Sequence, residues 1–450
     1  MSIHRYFPHS DADISAMLDR CGHKSLDELY SDLAPELRLR KPYDLPEEMS
    51  ETEVRRSFEN LFSQNRRMVC FAGGGFYDHY TPAVIDAIIS RSEFLTAYTP
   101  YQPEISQGTL QYIFEYQSMM ASLTGLDVSN ASMYDGATAT AEAMLMAVSA
   151  SRKKKRVLIS ATVNPAVARV VSTYARYHGV ALEVIPDHDG ETLRSELEAM
   201  LGAGDVAGVI AAYPNYYGIV EDYSGWADLC HSHKALFILN CRASALGILK
   251  SPGSLGADIA CGDAQSLGMP LNYGGPGLGF LCTTNALVRK MPGRIVGRTT
   301  DAEGRRVFVL TLQAREQHIR REKATSNICS NQNLCIVAAS VYLSLMGPQG
   351  LREVDEQILA KTAYAVDALV KTGKFRLAFP GAPAFREVVL ICDEPVASLN
   401  VRLLEAGILG GLDLSKIRPE LGNAWLLAVT EQRTKEEIDR LVSIAAGGDR

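Results

Sequence analysis

The sequence predicts an α/β protein whose large domain is a mostly parallel β-sheet with helices on both faces. Between residues 127 and 260, short apolar runs with strand character alternate with amphipathic runs of helical periodicity. Strands are predicted at 157–160, 180–185, 206–212 and 235–240, and helices at 165–177 and 224–232. Because parallel strands are joined by crossover helices, this alternation favours a parallel sheet.

A smaller C-terminal α/β unit is predicted after a helix at 349–371. Its strands are expected at 375–379, 388–392 and 425–430, and its helices at 396–406 and 435–446. We therefore predict a helical arm at 1–62, a large α/β domain at 63–312 and a C-terminal α/β domain at 313–450. Residues 293–312 are typical of a β-hairpin that turns at 301–304. In the arm, Ser25 with Glu28 and Ser50 with Glu53 match the capping box of a helix start.

Bulk composition limits the class of protein. The 450 residues carry a net charge of −7, which gives no basic footprint for nucleic acid. The one dense basic run, RKKKR at 152–156, is interpreted as a solvated helix end. Three consecutive glycines at 73–75 are interpreted as a tight turn rather than a phosphate cradle.

Cysteine and histidine usage indicates a reducing compartment and no metal site. The nine cysteines are scattered and form no Cys-x-x-Cys pair, and the nine histidines show no metal-ligand spacing. The N-terminus has no apolar signal core, and no run of about 18 apolar residues occurs. We expect a soluble, cytoplasmic protein without a membrane association.

Residues 258–281 contain a buried strand, a polar turn, a glycine-rich loop and a second apolar strand. This layout resembles the cofactor-lysine segment of fold-type I (aminotransferase-like) pyridoxal 5'-phosphate (PLP) enzymes, in which a lysine after the strand forms a Schiff base with the cofactor. Here the turn reads GDAQSLG, at 262–268, and contains no lysine. A Schiff base needs a primary amine, so none is expected at this turn.

Four further residues belong to the same resemblance. Asn240 stands near the position where these enzymes usually carry an aspartate that pairs with the pyridine nitrogen, and an amide cannot hold that nitrogen protonated. Asp135 and Gly136 open a helix at the place where such enzymes bind the cofactor phosphate. With Asp263, these residues are predicted to line a vestigial pocket.

The loop at 94–107 is the most distinctive stretch for recognition. It combines aromatic, amide and proline residues directly before an amphipathic helix, and loops on a rigid scaffold often carry recognition. A packed connector with internally satisfied hydroxyl groups is the alternative. The candidates for a substrate or partner site are Tyr98, Thr99, Tyr101, Gln102, Glu104 and Gln107.

Three motifs together strongly resemble the glycine cleavage system P-protein family. They are GGGFYDHYTP at 73–82, TAYTPYQPEISQG at 96–108 and AREQHIRREKATSNIC at 314–329. The family occurs as one long chain of two related halves or as two subunits. The length and the missing lysine resemble the separate N-terminal half.

This resemblance implies an oxidoreductase activity in glycine catabolism. Glycine condenses with PLP and loses CO2, and its aminomethyl group passes to the lipoyl arm of H-protein. A homologous partner subunit would carry the PLP lysine in an α2β2 heterotetramer. Thr325, Ser326 and Asn327 are candidates to reach the partner's cofactor phosphate.

Two alternatives remain open. In the first, the chain is an independent fold-type I PLP lyase or transferase with its lysine displaced to Lys250. In the second, it is a purely structural subunit that binds no cofactor.

Overall fold

The computed structural model describes residues 6–39, 41, 43–151, 153–324 and 326–448. Two compact units are present, Met1–Arg66 and Arg67–Arg450. The helices are α1 (Asp11–Cys21), α2 (Glu51–Phe62), α3 (Ala83–Ile89), α4 (Ser92–Leu95), α5 (Gln107–Thr124), α6 (Gly136–Ser151), α7 (Pro165–His178), α8 (Arg194–Leu201), α9 (Trp226–Ser232), α10 (Gln317–Arg320), α11 (Asn333–Lys371), α12 (Val396–Glu405) and α13 (Lys435–Ala445).

The described residues also form seventeen strands. They are β1 (Val69–Cys70), β2 (Val128–Ser129), β3 (Arg156–Ser160), β4 (Ala181–Ile185), β5 (Asp187–His188), β6 (Glu191–Thr192), β7 (Val206–Tyr213), β8 (Leu236–Cys241), β9 (Ile259–Asp263), β10 (Gly279–Thr283), β11 (Ile295–Thr300), β12 (Arg306–Thr311), β13 (Phe375–Leu377), β14 (Glu387–Cys392), β15 (Ile408–Leu409), β16 (Leu412–Asp413) and β17 (Ala424–Ala428).

The unit Met1–Arg66 contains α1 and α2 and buries none of its described residues. The capping box predicted at the start of α2 is confirmed, since Ser50 Oγ accepts from the Glu53 N–H and Glu53 Oε2 accepts from the Ser50 N–H. The box predicted at Ser25 is wrong. Ser25 precedes a short 3-10 turn and its hydroxyl makes no cap bond, because Glu28 accepts from the Lys24 N–H instead.

A seven-stranded sheet in the order β2-β10-β9-β8-β7-β3-β4 forms the centre of the larger unit. Strands β4, β3, β7, β8 and β9 run parallel, and β10 is antiparallel to both of its neighbours. All eight residues of β7 are buried, as expected for a strand covered on both faces. The predicted parallel sheet is therefore confirmed.

Side chains alternate between the two faces of this sheet. On β8, Phe237 and Leu239 pack in one core cluster with Tyr116 of α5 and Ile336 of α11. Ile238 points to the other cluster, which includes Val171 of α7. Because successive side chains of a strand point to opposite faces, the sheet packs against a helical layer on each side.

A second, four-stranded antiparallel sheet has the order β13-β14-β17-β16. Strands β13, β14 and β17 and the helices α12 and α13 match the segments predicted for the C-terminal unit, whereas the edge strand β16 was not predicted. Strand β1 pairs in parallel with β15, which connects the segment before the glycine triplet to this region. The boundary predicted at 312 stays a prediction.

Helix α11 is longer than predicted, because it begins at Asn333 and continues through a break at Gly347 (φ 59°, ψ −177°). By length and composition alone it would suit a membrane. Ile336, Leu343 and Leu351 are buried against the sheet core, so α11 is a core helix of this unit.

The hairpin β11–β12 is confirmed, with pairing from Ile295–Thr311 to Thr300–Arg306. The basic run before β3 is not simply solvated, since Lys154 Nζ donates to the carbonyl oxygens of Val206, His233 and Lys234. Within that run, Arg152 lies outside the described residues.

Candidate active-site region at the strand ends

The residues predicted for a vestigial pocket meet at the carboxyl ends of β8 and β9. Asp263 ends β9, and its Oδ2 accepts a hydrogen bond from the Gly136 N–H at 3.2 Å. Its Oδ1 accepts from the Gln265 N–H at 2.7 Å. A Cβ at Gly136 would lie only 2.7 Å from the Asp263 nitrogen, so this approach requires glycine. Burial raises the pKa of Asp263.

Asn240 and Asp135 complete the same group. Asn240 Nδ2 donates to Thr140 Oγ1 at 2.7 Å, and Thr140 Oγ1 donates to the Gly136 carbonyl, also at 2.7 Å. Asp135 Oδ1 accepts from the Thr138 N–H at 2.8 Å, in the first turn of α6. The structure therefore brings Asp135, Gly136, Asn240 and Asp263 together around the N-terminus of one helix.

Beside this group lies a cavity of about 20 Å³. Its lining includes Asn240 and a set of residues that sequence reasoning missed, namely Tyr77, Arg242, Arg386 and Glu387. Glu387 Oε2 accepts from the Tyr77 hydroxyl at 2.6 Å, and Glu387 Oε1 accepts from the Gly74 N–H at 2.6 Å. Burial raises the pKa of both Glu387 and Tyr77.

The residues present do not fit PLP. The turn after β9 offers no amine, and the carboxylate of Asp263 binds the N–H at the start of α6, where a phosphate would otherwise bind. A cavity of about 20 Å³ has room for about one water molecule and not for an aromatic cofactor. Lys250 is exposed and does not line the cavity.

The loop with Tyr98 and Tyr101 presents most of its predicted site residues to solvent. Tyr98 is 75% exposed and Tyr101 54% exposed. The ring of Tyr101 lies 5.5 Å from the Arg294 guanidinium and 6.4 Å from the His318 ring. Gln102 and Glu104 are exposed and Thr99 is half-buried.

Gln107 differs from the rest of this loop. Its Nε2 donates to the Phe308 carbonyl and its Oε1 accepts from the Phe308 N–H, both at 2.9 Å. Gln117, nearly three turns further along α5, makes the same pair of bonds to Val296 at 2.9 Å. The two glutamines hold both strands of the β11–β12 hairpin, which is a structural use of the Gln107 amide.

The cofactor-phosphate candidates lie in an irregular segment before α11. Ser326 Oγ donates to Glu142 Oε1 on α6 at 2.8 Å, so its hydroxyl is bound within this chain. Asn327 is exposed, and Thr325 lies outside the described residues. Glu142 is 3% exposed, and burial raises its pKa to about 7. No cluster of three or more histidine, cysteine or acidic side chains that could hold a metal ion occurs within the described ranges.

Three features define the fold class of fold-type I PLP-dependent enzymes. They are the strand order of the seven-stranded sheet, the helices that cover both of its faces, and the residues that meet at the start of α6 beside the end of β9. Solved structures agree at the level of fold. A sphingosine-1-phosphate lyase of Burkholderia pseudomallei matches with a TM-score of 0.67 at 13% identity over 90% of this chain and 92% of its own. The predicted fold class is thus confirmed.

The chain belongs to the glycine cleavage system P-protein family, whose family model matches residues 4–445. A crystal structure of a glycine decarboxylase (P-protein) in inhibitor-bound form superposes with a TM-score of 0.87 at 41% identity, covering 99% of this chain and 100% of that one. The family predicted from the three motifs is confirmed.

Curated relatives resemble the chain over its whole length. A protein of Moorella thermoacetica named "probable glycine dehydrogenase (decarboxylating) subunit 1" is 51% identical over 442 residues, which cover 98% of this chain and 99% of that protein. A protein of the same name from Geobacillus kaustophilus is 49% identical over 450 residues, covering 99% of each chain.

Proposed function

We propose that this chain is the subunit of a two-subunit, decarboxylating glycine dehydrogenase that does not itself hold PLP. The observation that carries the proposal is the lysine-free turn at 262–268, closed by the Asp263 bond to Gly136, in a chain about half identical to relatives named subunit 1. The cofactor is then bound covalently by a homologous partner subunit.

When bound in the partner, PLP supplies the electron sink for the decarboxylation of glycine. The aminomethyl group is then passed to the lipoyl group of H-protein, which acts as co-substrate. The residues of this chain do not form bonds to the reacting atoms in this scheme. They bind and orient groups at the edge of the partner's site.

The exposed part of the 98–107 loop is the proposed contribution to that site. Tyr98, Gln102 and Glu104 are exposed on a segment held by two prolines and by the Gln107 bonds to Phe308. Such a preordered loop loses little entropy on binding. Thr325, Ser326 and Asn327 are proposed to lie near the partner's cofactor phosphate. The hydrogen bond from the Ser326 hydroxyl to Glu142 would hold Ser326 in place there.

The proposed assembly is an α2β2 heterotetramer in the cytoplasm. Exposed large apolar side chains support an extensive subunit interface, among them Leu95 (59%), Ile105 (81%) and Tyr273 (96%). Obligate interfaces of this kind bury roughly 2,000 Å² or more. All nine cysteines are free, which suits a reducing compartment.

The test is glycine–bicarbonate exchange measured with this chain alone, with the partner alone and with both, in the presence of lipoylated H-protein. We expect exchange only with both chains, and light scattering should give a mixed complex. A fully active species that contains only this chain would contradict the proposal and favour the displaced-lysine alternative. Full activity of the partner alone would favour a purely structural subunit.

A further inference from the structure

A larger cavity, of about 210 Å³, is lined by residues of α6, of α7 and of the segment between the start of α10 and α11. Glu142 and Tyr174 line it from the two helices, and Arg321, Ser326 and Asn327 line it from the segment. It shares no lining residue with the small cavity at the strand ends. A water molecule takes about 30 Å³, so this cavity has room for about seven waters or for a ligand of similar size.

The carboxyl group of Glu142 opens onto this cavity. Glu142 is 3% exposed, and its Oε1 accepts a hydrogen bond from Ser326 Oγ at 2.8 Å. Its Oε2 accepts no hydrogen bond from a described residue, yet protein atoms do not seal this oxygen completely. Because Glu142 lines the cavity, the unbonded oxygen is accessible from it.

The protein supplies no counter-charge to this carboxyl group. Burial raises the pKa of Glu142 to about 7, the bond from Ser326 acts in the opposite direction, and no charged side chain of the described ranges shifts it further. Arg321 and His178 line the same cavity, but they lie too far from the carboxyl to pair with it. A buried carboxylate without a counter-charge is costly, so a cation that reaches Oε2 is stabilised there.

The neighbouring polar groups suit a cation with several N–H donors. Ser326 Oγ donates to Glu142 and accepts from the Ile328 N–H at 3.1 Å, which leaves one lone pair. The side-chain amide of Asn327 and the hydroxyl of Tyr174 bond no residue in the described part of the chain. After burial, the charge of Glu142 is the next cause that raises the pKa of Tyr174, so this ring lies near the carboxyl. The face of a tyrosine ring attracts cations.

We propose that this cavity binds a small primary ammonium ion, with its charge against the Glu142 carboxylate and one N–H donated to Glu142 Oε2. An ammonium group has three donors and no acceptor, which matches the remaining acceptors of Ser326 and Asn327. The volume limits the ligand to a short amine or a small amino acid, which share this group. The inference does not rest on the proposed function, because every residue of the site belongs to this chain and none of them lines the cavity at the strand ends.

Thermal melting of the full-length chain at pH 8 tests this site, with methylammonium chloride compared with sodium chloride at the same ionic strength. The Glu142 carboxyl is mostly ionised at this pH. Methylammonium at about a hundred times its Kd should raise Tm by about 3 °C. No rise beyond that given by sodium chloride, at concentrations up to about 0.2 M, would overturn the proposal. An equal rise with tetramethylammonium chloride, which has no N–H donor, would also overturn it.

Glycine and sodium acetate separate the two sources of the ammonium group. A rise with both methylammonium and glycine supports a site for amino acids and free amines, and a rise with methylammonium alone supports a site for free amines. A rise with acetate, or with glycine but not with methylammonium, would mean that a carboxylate is the recognised group. Either of those two results would overturn the proposal.

Variants assign the effect to the cavity. Glu142→Gln keeps an oxygen that accepts from Ser326 but removes the charge, and it should abolish the methylammonium shift. Asn327→Leu removes an acceptor at an exposed position and should reduce the shift, so it answers if Glu142→Gln fails to fold. Asp355→Asn is the matched control, because Asp355 is a buried acid whose pKa is also raised to about 7 and which does not line this cavity. The shift should persist in the control, and an undiminished shift in either folded cavity variant would overturn the assignment.

Discussion

The carboxylate of Asp263 accepts a hydrogen bond at 3.2 Å from the backbone N–H of Gly136, the first residue of α6. The start of a helix carries unsatisfied N–H groups and partial positive charge, so it attracts an anion. In this chain the anion comes from its own strand β9. The Asp263 side chain thus supplies the acceptor for the first N–H of this helix.

The first prediction follows from that closure. The isolated chain should form no covalent adduct with PLP, because the turn at 262–268 has no amine and the helix end is already bound by Asp263. Visible absorbance after mixing with PLP, followed by borohydride trapping and peptide mapping, measures this. A stoichiometric adduct on Lys250 or on any other single lysine would contradict the prediction.

Local patterns in the sequence were sufficient for the elements that form the sheet. The apolar runs of β7 and β8 predict buried strands, since their composition leaves little choice of environment. Capping at Ser50 was likewise predictable because both partners are three residues apart. Ser25 has the same spacing and fails, because Glu28 bonds the Lys24 N–H instead.

Contacts between segments that are far apart in the sequence could not be predicted from such local patterns. Tyr77 and Glu387 meet across 310 residues, and Gln107 and Phe308 across 201 residues. Only the fold brings these pairs together. Glu142 did leave a signal, since it is a single charge in the apolar run ATATAEAMLMA, and a lone charge on a buried helix face needs a partner.

The second prediction concerns Glu142. Burial raises its pKa from 4.5 to about 7, so the protonated form is favoured in the folded state. The stabilisation is present below pH 4.5 and is lost as pH rises towards 7, by on the order of 3 kcal/mol at most. Glu142→Gln keeps an oxygen that accepts from Ser326 and should flatten this dependence.

Urea unfolding at pH values from 5 to 8 measures the Glu142 effect. Asp355 titrates in the same range, so the difference between wild type and Glu142→Gln is the relevant quantity. Parallel curves for the two proteins would show that Glu142 does not titrate there.

The third prediction concerns the hydrogen bonds by which Gln107 and Gln117 of α5 hold the β11–β12 hairpin. Gln117→Ala removes both bonds to Val296 and leaves a buried N–H and a buried carbonyl without partners. We expect a loss of about 2–4 kcal/mol in the free energy of unfolding. Gln111→Ala is the matched control on the same helix, since its amide donates to Glu115 on the helix surface, and it should cost less than about 0.5 kcal/mol. If denaturant unfolding shows the same loss of unfolding free energy for both variants, the Gln117 bonds to Val296 do not stabilise the fold.

The last prediction separates the exposed loop from the pocket at the strand ends. Tyr98 and Gln102 are exposed, so Tyr98→Phe and Gln102→Ala should leave folding nearly unchanged. If these side chains bond in the partner's site, each change removes about 1–3 kcal/mol, or roughly a 5- to 150-fold loss in kcat/KM. Asn240→Ala loses its bond to Thr140 and should lower Tm while leaving the rate nearly unchanged. The measurement is glycine–bicarbonate exchange by the reconstituted complex with H-protein, with a melting curve for each variant. Should folded Asn240→Ala abolish exchange while both loop variants retain it, the roles are reversed and this chain holds a working site of its own.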